Sequence, residues 1–235
     1  MLAAHYLRLG DKQKSLTLAK KLKGAYPDDP VVLDLLAQAQ LANNDKSAAL
    51  ESYSRLAAMQ PESPDVQLRI GSIHLASQNI PEASDALRKA LAIKPDYLDA
   101  QLAQVALESR QGNYEKAMAI SHQIQKQQKR SPVGYIAEGD LLMAPKKPAL
   151  ATKAYEHAFE ISKSGPAILK IHSSLSQAGK IPEANFRLVR WLKEHPENAA
   201  SRMYLAGVYL ASRDNKAAIE QYQIILKQAP ITCRH

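Results

Sequence analysis

Seven histidines and one cysteine are the side chains of this sequence best suited to metal binding or nucleophilic chemistry. Their spacing does not assemble them. Neighbouring histidines lie 15 or more residues apart, so no two occupy adjacent turns of one helix as paired metal ligands do. Cys233-Arg234-His235 puts a thiol beside an imidazole, but a metal site requires further ligands and the neighbouring residues offer none. Nine glycines supply no phosphate-cradling loop, and neither a nucleophile elbow nor a zinc-protease helix motif occurs. No catalytic residue, no cofactor and no metal are therefore expected. Tyrosines alongside lysines can form a stacking surface for nucleic acid, yet no face of the pattern gathers both, and no nucleic-acid partner is expected.

The elements that position these side chains are read from composition and periodicity. Thirty-seven alanines against nine glycines, with few β-branched or aromatic runs, favour helix throughout. The net charge of +8 and pI near 9.4 permit an acidic partner without identifying one. No basic cluster exceeds pairs and near-pairs such as Lys20-Lys21-Leu22-Lys23, Lys129-Arg130 and Lys146-Lys147, as on solvated helix faces. The longest mostly apolar stretch, Tyr204 to Ala211, is far too short to cross a bilayer. Residues 1–6 lack the charged start and sustained apolar core of a secretion signal.

Prolines mark a period. Pro27, Pro61 and Pro95 are spaced by 34, as are Pro196 and Pro230, while Pro95 to Pro196 spans 101, three periods less one residue. This register gives full repeats at 30–63, 64–97, 98–131, 132–164, 165–198 and 199–232, with residues 1–29 the remainder of an earlier one; the missing residue belongs in a loop. The twentieth place holds Ala49, Ala83, Ala117, Ala151, Ala184 and Ala218. A methyl is expected there because two helices of one pair cross closely, and a larger group would cost about 1–3 kcal/mol by overpacking.

Boundaries carry their own signals. Asp11, Asp45, Asn79, Asn113 and Asp214 at the sixteenth place read as N-caps of second helices, with Lys147 and Lys180 the exceptions. Asp29-Pro30, Ser63-Pro64 and Ser131-Pro132 read as a capping residue followed by proline at the first helical position. Gly10, Gly112 and Gly179 at the fifteenth place suit a left-handed residue after the first helix.

This period, the alanine at place twenty and the proline at place thirty-two resemble the tetratricopeptide repeat over essentially the whole chain. The resemblance implies an all-α fold, a right-handed superhelical solenoid of antiparallel helix pairs, and a protein or peptide ligand. Local departures are Gln104 and Glu138 at the normally apolar seventh place and Lys129 where proline is usual. The runs Gly134 to Met143, Trp191 to Pro196 and Arg202 to Ala206 are similar to the tetratricopeptide lipoproteins of the bacterial PEP-CTERM/exosortase system. That likeness implies a longer parent array anchored at the envelope, in the periplasm, and serving exopolysaccharide export or protein sorting. A cytoplasmic adaptor or chaperone-associated protein, and the substrate-presenting part of a larger enzyme, stand as alternatives.

In such stacks the second, fifth, ninth and twelfth places of each first helix point into a concave groove, by the same resemblance. The fifth place carries Asp34 and then an apolar stripe, Leu68, Leu102, Ile136, Leu169 and Met203. Lysine at the fifth place and asparagine at the ninth, which clamp a C-terminal carboxylate in some members, are missing; an apolar or amphipathic segment fits better. Arg69, Arg110, Lys170 and Tyr204 are candidates for its polar contacts. The stripe reads more readily as core between neighbouring first helices than as ligand contact. Glu138 and His172 read as a polar site or as a hydrogen-bonded pair between irregular repeats. Without a polar closing helix in the pattern, end-to-end association of apolar ends is a further expectation.

Overall fold

The computed structural model describes residues 2–228. Among them are fourteen helices and no strand. The helices are α1 (Leu2–Arg8), α2 (Lys12–Ala25), α3 (Pro30–Ala42), α4 (Lys46–Met59), α5 (Pro64–Ala76), α6 (Ile80–Ile93) and α7 (Leu98–Arg110). They continue as α8 (Tyr114–Gln127), α9 (Val133–Met143), α10 (Pro148–Ser162), α11 (Gly165–Gln177), α12 (Ile181–Glu194), α13 (Ala199–Ala211) and α14 (Asn215–Gln228). Cys233, Arg234, His235 and Pro230 lie outside the described residues.

The chain divides after Asn113 into two compact units. In the first, each helix from α1 to α7 packs on the next, and α5 also reaches α7. In the second, α8 to α14 do the same, with α11 reaching α13. Contacts between helices two apart, α1 with α3, α5 with α7 and α11 with α13, all join first helices of the pairs.

Crossing within a pair explains the repeated alanine. All six place-twenty alanines have no exposed surface. The α5–α6 pair shows why: a Cβ built on Gly71 would lie 3.5 Å from the Ala83 carbonyl oxygen and 3.0 Å from Leu87. At the same place of the partial repeat stands Ser15, also fully buried, whose hydroxyl donates to the Ala3 carbonyl at 2.9 Å. That bond lets a polar residue occupy a position otherwise reserved for a methyl.

Three of the five expected second-helix caps form. Asp11, Asp45 and Asp214 accept from the backbone N–H of Lys14, Ala48 and Ala217. Asn79 makes no capping bond, and Asn113 gives its amide to Glu108 and Gln111 instead. An aspartate only accepts, whereas an asparagine amide also donates, as it does at Asn113. Asp29 caps α3 twice, through Val31 and Val32, and Ser63 caps α5. α9 starts one residue later than the Ser131-Pro132 pair suggests, at Val133, whose N–H reaches the Ser131 hydroxyl at 3.4 Å.

The fifteenth place is left-handed in every repeat. Gly10, Gly112 and Gly179 have φ between 77° and 80°, and Asn44, Gln78, Lys146 and Arg213 adopt φ between 57° and 63°. The missing residue is found between α10 and α11, which only Lys163 and Ser164 separate, with Lys163 at φ 48°. Four residues make the same connection between α4 and α5.

Candidate functional site

In the first unit, α3, α5 and α7 present a recess of about 610 Å³. Its walls come from the inward places named above: Asp65 and Asp99 from the second, Leu68 from the fifth, Ser72 from the ninth and Leu41 from the twelfth. Ile73 and Ala76 extend the apolar floor along α5. Leu68 serves two roles, since it also packs on the buried cluster of Leu75, Ala83, Leu87 and Leu107. Groove and core are therefore one surface seen from two sides at this position.

Charge in the recess is ordered along α5. Asp65 and Asp99 stand near the starts of α5 and α7, where helix dipoles favour carboxylates. Lys46 stands at the other end, its ammonium donating to the Ala76 carbonyl at 3.2 Å. Tyr97 closes the acidic end with its hydroxyl on Asp65, and that bond, followed by burial, pushes its pKa up to about 12. Lys46 and Tyr97 were invisible as site residues in the sequence because they stand at places seventeen and thirty-four, the first residue of α4 and the residue before α7, outside the inward set.

Arg69 lines the recess but is already engaged. Its guanidinium lies 3.6 Å from Asp34 and sits over the Tyr53 ring at 5.8 Å. Burial raises the Tyr53 phenol to about 12. The second unit repeats this arrangement: Lys170 pairs with Asp140 at 2.6 Å and sits over Tyr155 at 5.4 Å. Tyr155 donates to the same carboxylate at 2.6 Å, and burial followed by this bond drives its pKa well above the usual tyrosine value. In each unit a cation of one first helix bridges to an acid of the preceding one across a tyrosine of the intervening second helix. Arg69 and Lys170 therefore tie neighbouring repeats together.

The remaining candidates divide. Leu102 and Ile136 are half-buried; Leu169 and Tyr204 pack against the core of the second unit. Met203 is 55% exposed and is the freest member of the stripe. Arg110 donates to the Leu75 carbonyl at 2.8 Å, covering an acceptor at the end of α5. The pair expected between Glu138 and His172 does not form. Glu138 accepts from Gln125 at 2.7 Å with His122 at 3.6 Å, because its place faces α8. His172 is buried between α12 and α13, with Asn185 Oδ1 at 2.9 Å from Nε2 and the Tyr204 hydroxyl at 3.1 Å from Nδ1. With Asn185 accepting from Nε2, Nδ1 accepts from Tyr204, and both ring nitrogens are satisfied.

Among the described residues no helix is long and apolar enough to cross a membrane, and no three metal-ligating side chains gather. No curated protein matches the sequence. Solved structures similar to this chain include a thermophilic tetratricopeptide repeat protein of Thermus thermophilus, with 22% identity and TM-score 0.59 over 74% of this chain and 95% of that one. A tetratricopeptide repeat protein from Parabacteroides merdae aligns with 18% identity and TM-score 0.67 over 96% and 82%. PilW, a type IV pilus biogenesis factor, aligns with 17% identity and TM-score 0.66 over 83% and 91%. At such identities the likeness is one of fold. The tetratricopeptide repeat model matches residues 35–97 and 173–230, just over half of the chain. The chain belongs to the tetratricopeptide repeat family.

Proposed function

We propose that this chain is a non-catalytic protein-interaction scaffold whose first-helix face takes an apolar or amphipathic segment of a protein partner. The recess between α3, α5 and α7 carries the reading, because it joins an apolar floor to acidic and basic ends within one trough. Such a trough orients a peptide: apolar side chains enter it, and charge sets their direction. Capture of partners from cells by the unaltered chain, Leu68→Asp and Met203→Asp tests this. Loss of the same bound protein from the Leu68→Asp sample, with helical signal retained, is the expected result; retention by both variants contradicts it.

The setting we propose is the bacterial envelope, in exopolysaccharide export or PEP-CTERM protein sorting. Its support is the resemblance of residues 134–143, 191–196 and 202–206 to the lipoproteins of that system. Fractionation that finds the full-length protein only in the cytoplasm removes this setting and leaves the scaffold reading intact. End-to-end association between copies has one supporting observation. Ile219 and Leu226 of α14 are 54% and 69% exposed, and Tyr222 is 37% exposed where the equivalent Tyr53 and Tyr155 are buried. Light scattering that shows only monomer at high concentration rules it out.

A further inference from the structure

The second unit contains a recess of about 810 Å³ formed by α10, α11 and α12. Ile168 and Ile171 form its floor. They occupy the fourth and seventh places of α11, the side opposite Leu169 and Ser173 at 100° per residue. This recess is therefore distinct from the first-helix face. Phe159, Phe186 and Trp191 form an aromatic wall. Phe186 is 66% exposed, although leaving so large an apolar side chain in water forgoes stability available from burial.

Four carboxylates and two guanidiniums line this recess. Arg187 is held by Glu156 at 2.5 Å and Glu183 at 2.9 Å, and these bonds, Glu156 foremost, raise its pKa and fix its charge. Arg190 reaches Glu194 only at 3.8 Å, and Glu160 has His157 at 3.5 Å. The lining residues thus carry two negative charges in excess. Lys180 touches the rim at Glu183, 3.6 Å away, and Lys163 lays its ammonium over the Phe159 ring at 5.2 Å. Even with both lysines counted the recess holds no net positive charge, on a chain that carries +8. The Lys163 contact also shows that the aromatic wall accepts a cation.

We propose that this recess is a second docking site, for a basic amphipathic helix of a partner protein. An apolar side chain of that helix enters beside Phe186 and Trp191. Its lysines or arginines lie against Glu160 and Glu194. A scaffold with two such surfaces holds one partner in the α3–α5–α7 recess and another in the α10–α12 recess.

Trp191 is the chain's one tryptophan, so its emission reports occupancy directly. The probes are a helical leucine–lysine peptide with its leucines on one face and a leucine–glutamate peptide of the same length and pattern. The lysine peptide is expected to shift Trp191 emission saturably and the glutamate peptide to leave it unchanged. Net charge alone predicts the reverse order, so the preference isolates the recess. Phe186→Ser, and separately Glu160→Lys with Glu194→Lys, should each weaken the lysine peptide by about tenfold or more, the scale expected when charge and anchor complementarity are lost. Leu68→Asp should leave it unaltered, which separates this site from the first-helix face. Equal response to both peptides, no response to either, or undiminished binding by the charge-reversed variant overturns the proposal. If a variant loses its helical signal, the comparison of peptides on the unaltered chain still decides.

Discussion

Replacing Gly139 with alanine tests the packing argument at its tightest point. Gly139 lies in α9 at the eighth place, facing Tyr155 of α10. A methyl there would meet Cε1 of the ring and lie 2.5 Å from Cδ1 and 2.7 Å from Cζ. Carbon atoms prefer about 3.5–4.0 Å, so roughly 1 Å of displacement is required. The ring cannot yield freely, since Tyr155 is 3% exposed, bonded to Asp140 and covered by Lys170. Overpacking of this kind costs about 1–3 kcal/mol, and disturbing a hydrogen bond to a charged group adds to it. Alanine returns about 0.5–1 kcal/mol of helix preference over glycine. The balance is a loss of about 2 kcal/mol. Gly207 in α13 is the control, because nothing lies within 4 Å of its added methyl; Gly207→Ala should gain that helix preference alone. Urea unfolding followed by Trp191 emission compares midpoints without requiring a two-state array. Equal midpoints for the two variants, or a Gly139→Ala penalty that persists in a Tyr155→Leu background, refutes the reasoning.

Other outcomes follow from the same geometry. Gln78→Gly should raise the thermal midpoint, removing about 1 kcal/mol of left-handed strain, while Gly112→Ala at the equivalent place should lower it by a similar amount. Ala151→Leu should destabilise by about 1–3 kcal/mol, as at each fully buried place-twenty alanine; an unchanged melting curve contradicts the crossing argument. The pKa values of Tyr53 and Tyr97 are both raised, from the usual 10 to about 12, so folding favours the neutral phenol. Their contribution is present below about pH 10 and is lost as pH rises through about 12. Circular dichroism of the chain against pH should show this decline, flattened in Tyr53→Phe.

The repeat register was legible because it rests on backbone demands. A helix crossing admits only a methyl at Ala49 or Ala184, and a carboxylate at Asp45 has no rival use, so spacing alone places them. Left-handed residues were readable only where they are glycine. Gln78 and Arg213 take the same conformation because flanking helices impose it, and nothing in their side chains announces that. The candidate site was half legible. Places two, five, nine and twelve locate Asp65, Leu68, Ser72 and Leu41 around one recess, whereas Lys46 reaches it from the start of α4 and Tyr97 from the residue before α7, places outside the inward set. Glu138 and His172 share inward-leaning places, but each turns to a closer partner, Gln125 and Asn185, on its own side of the stack. The aromatic recess of α10 to α12 draws on places outside the inward set, and the exposure of Phe186 is visible only in three dimensions.

Site-specific photo-crosslinking in cells tests the central claim most directly. A photoreactive residue at Ser72, exposed within the α3–α5–α7 recess, should yield a discrete protein adduct, and the same residue at Glu51, exposed on α4, should yield none. Adducts at Glu51 with none at Ser72 would contradict the account.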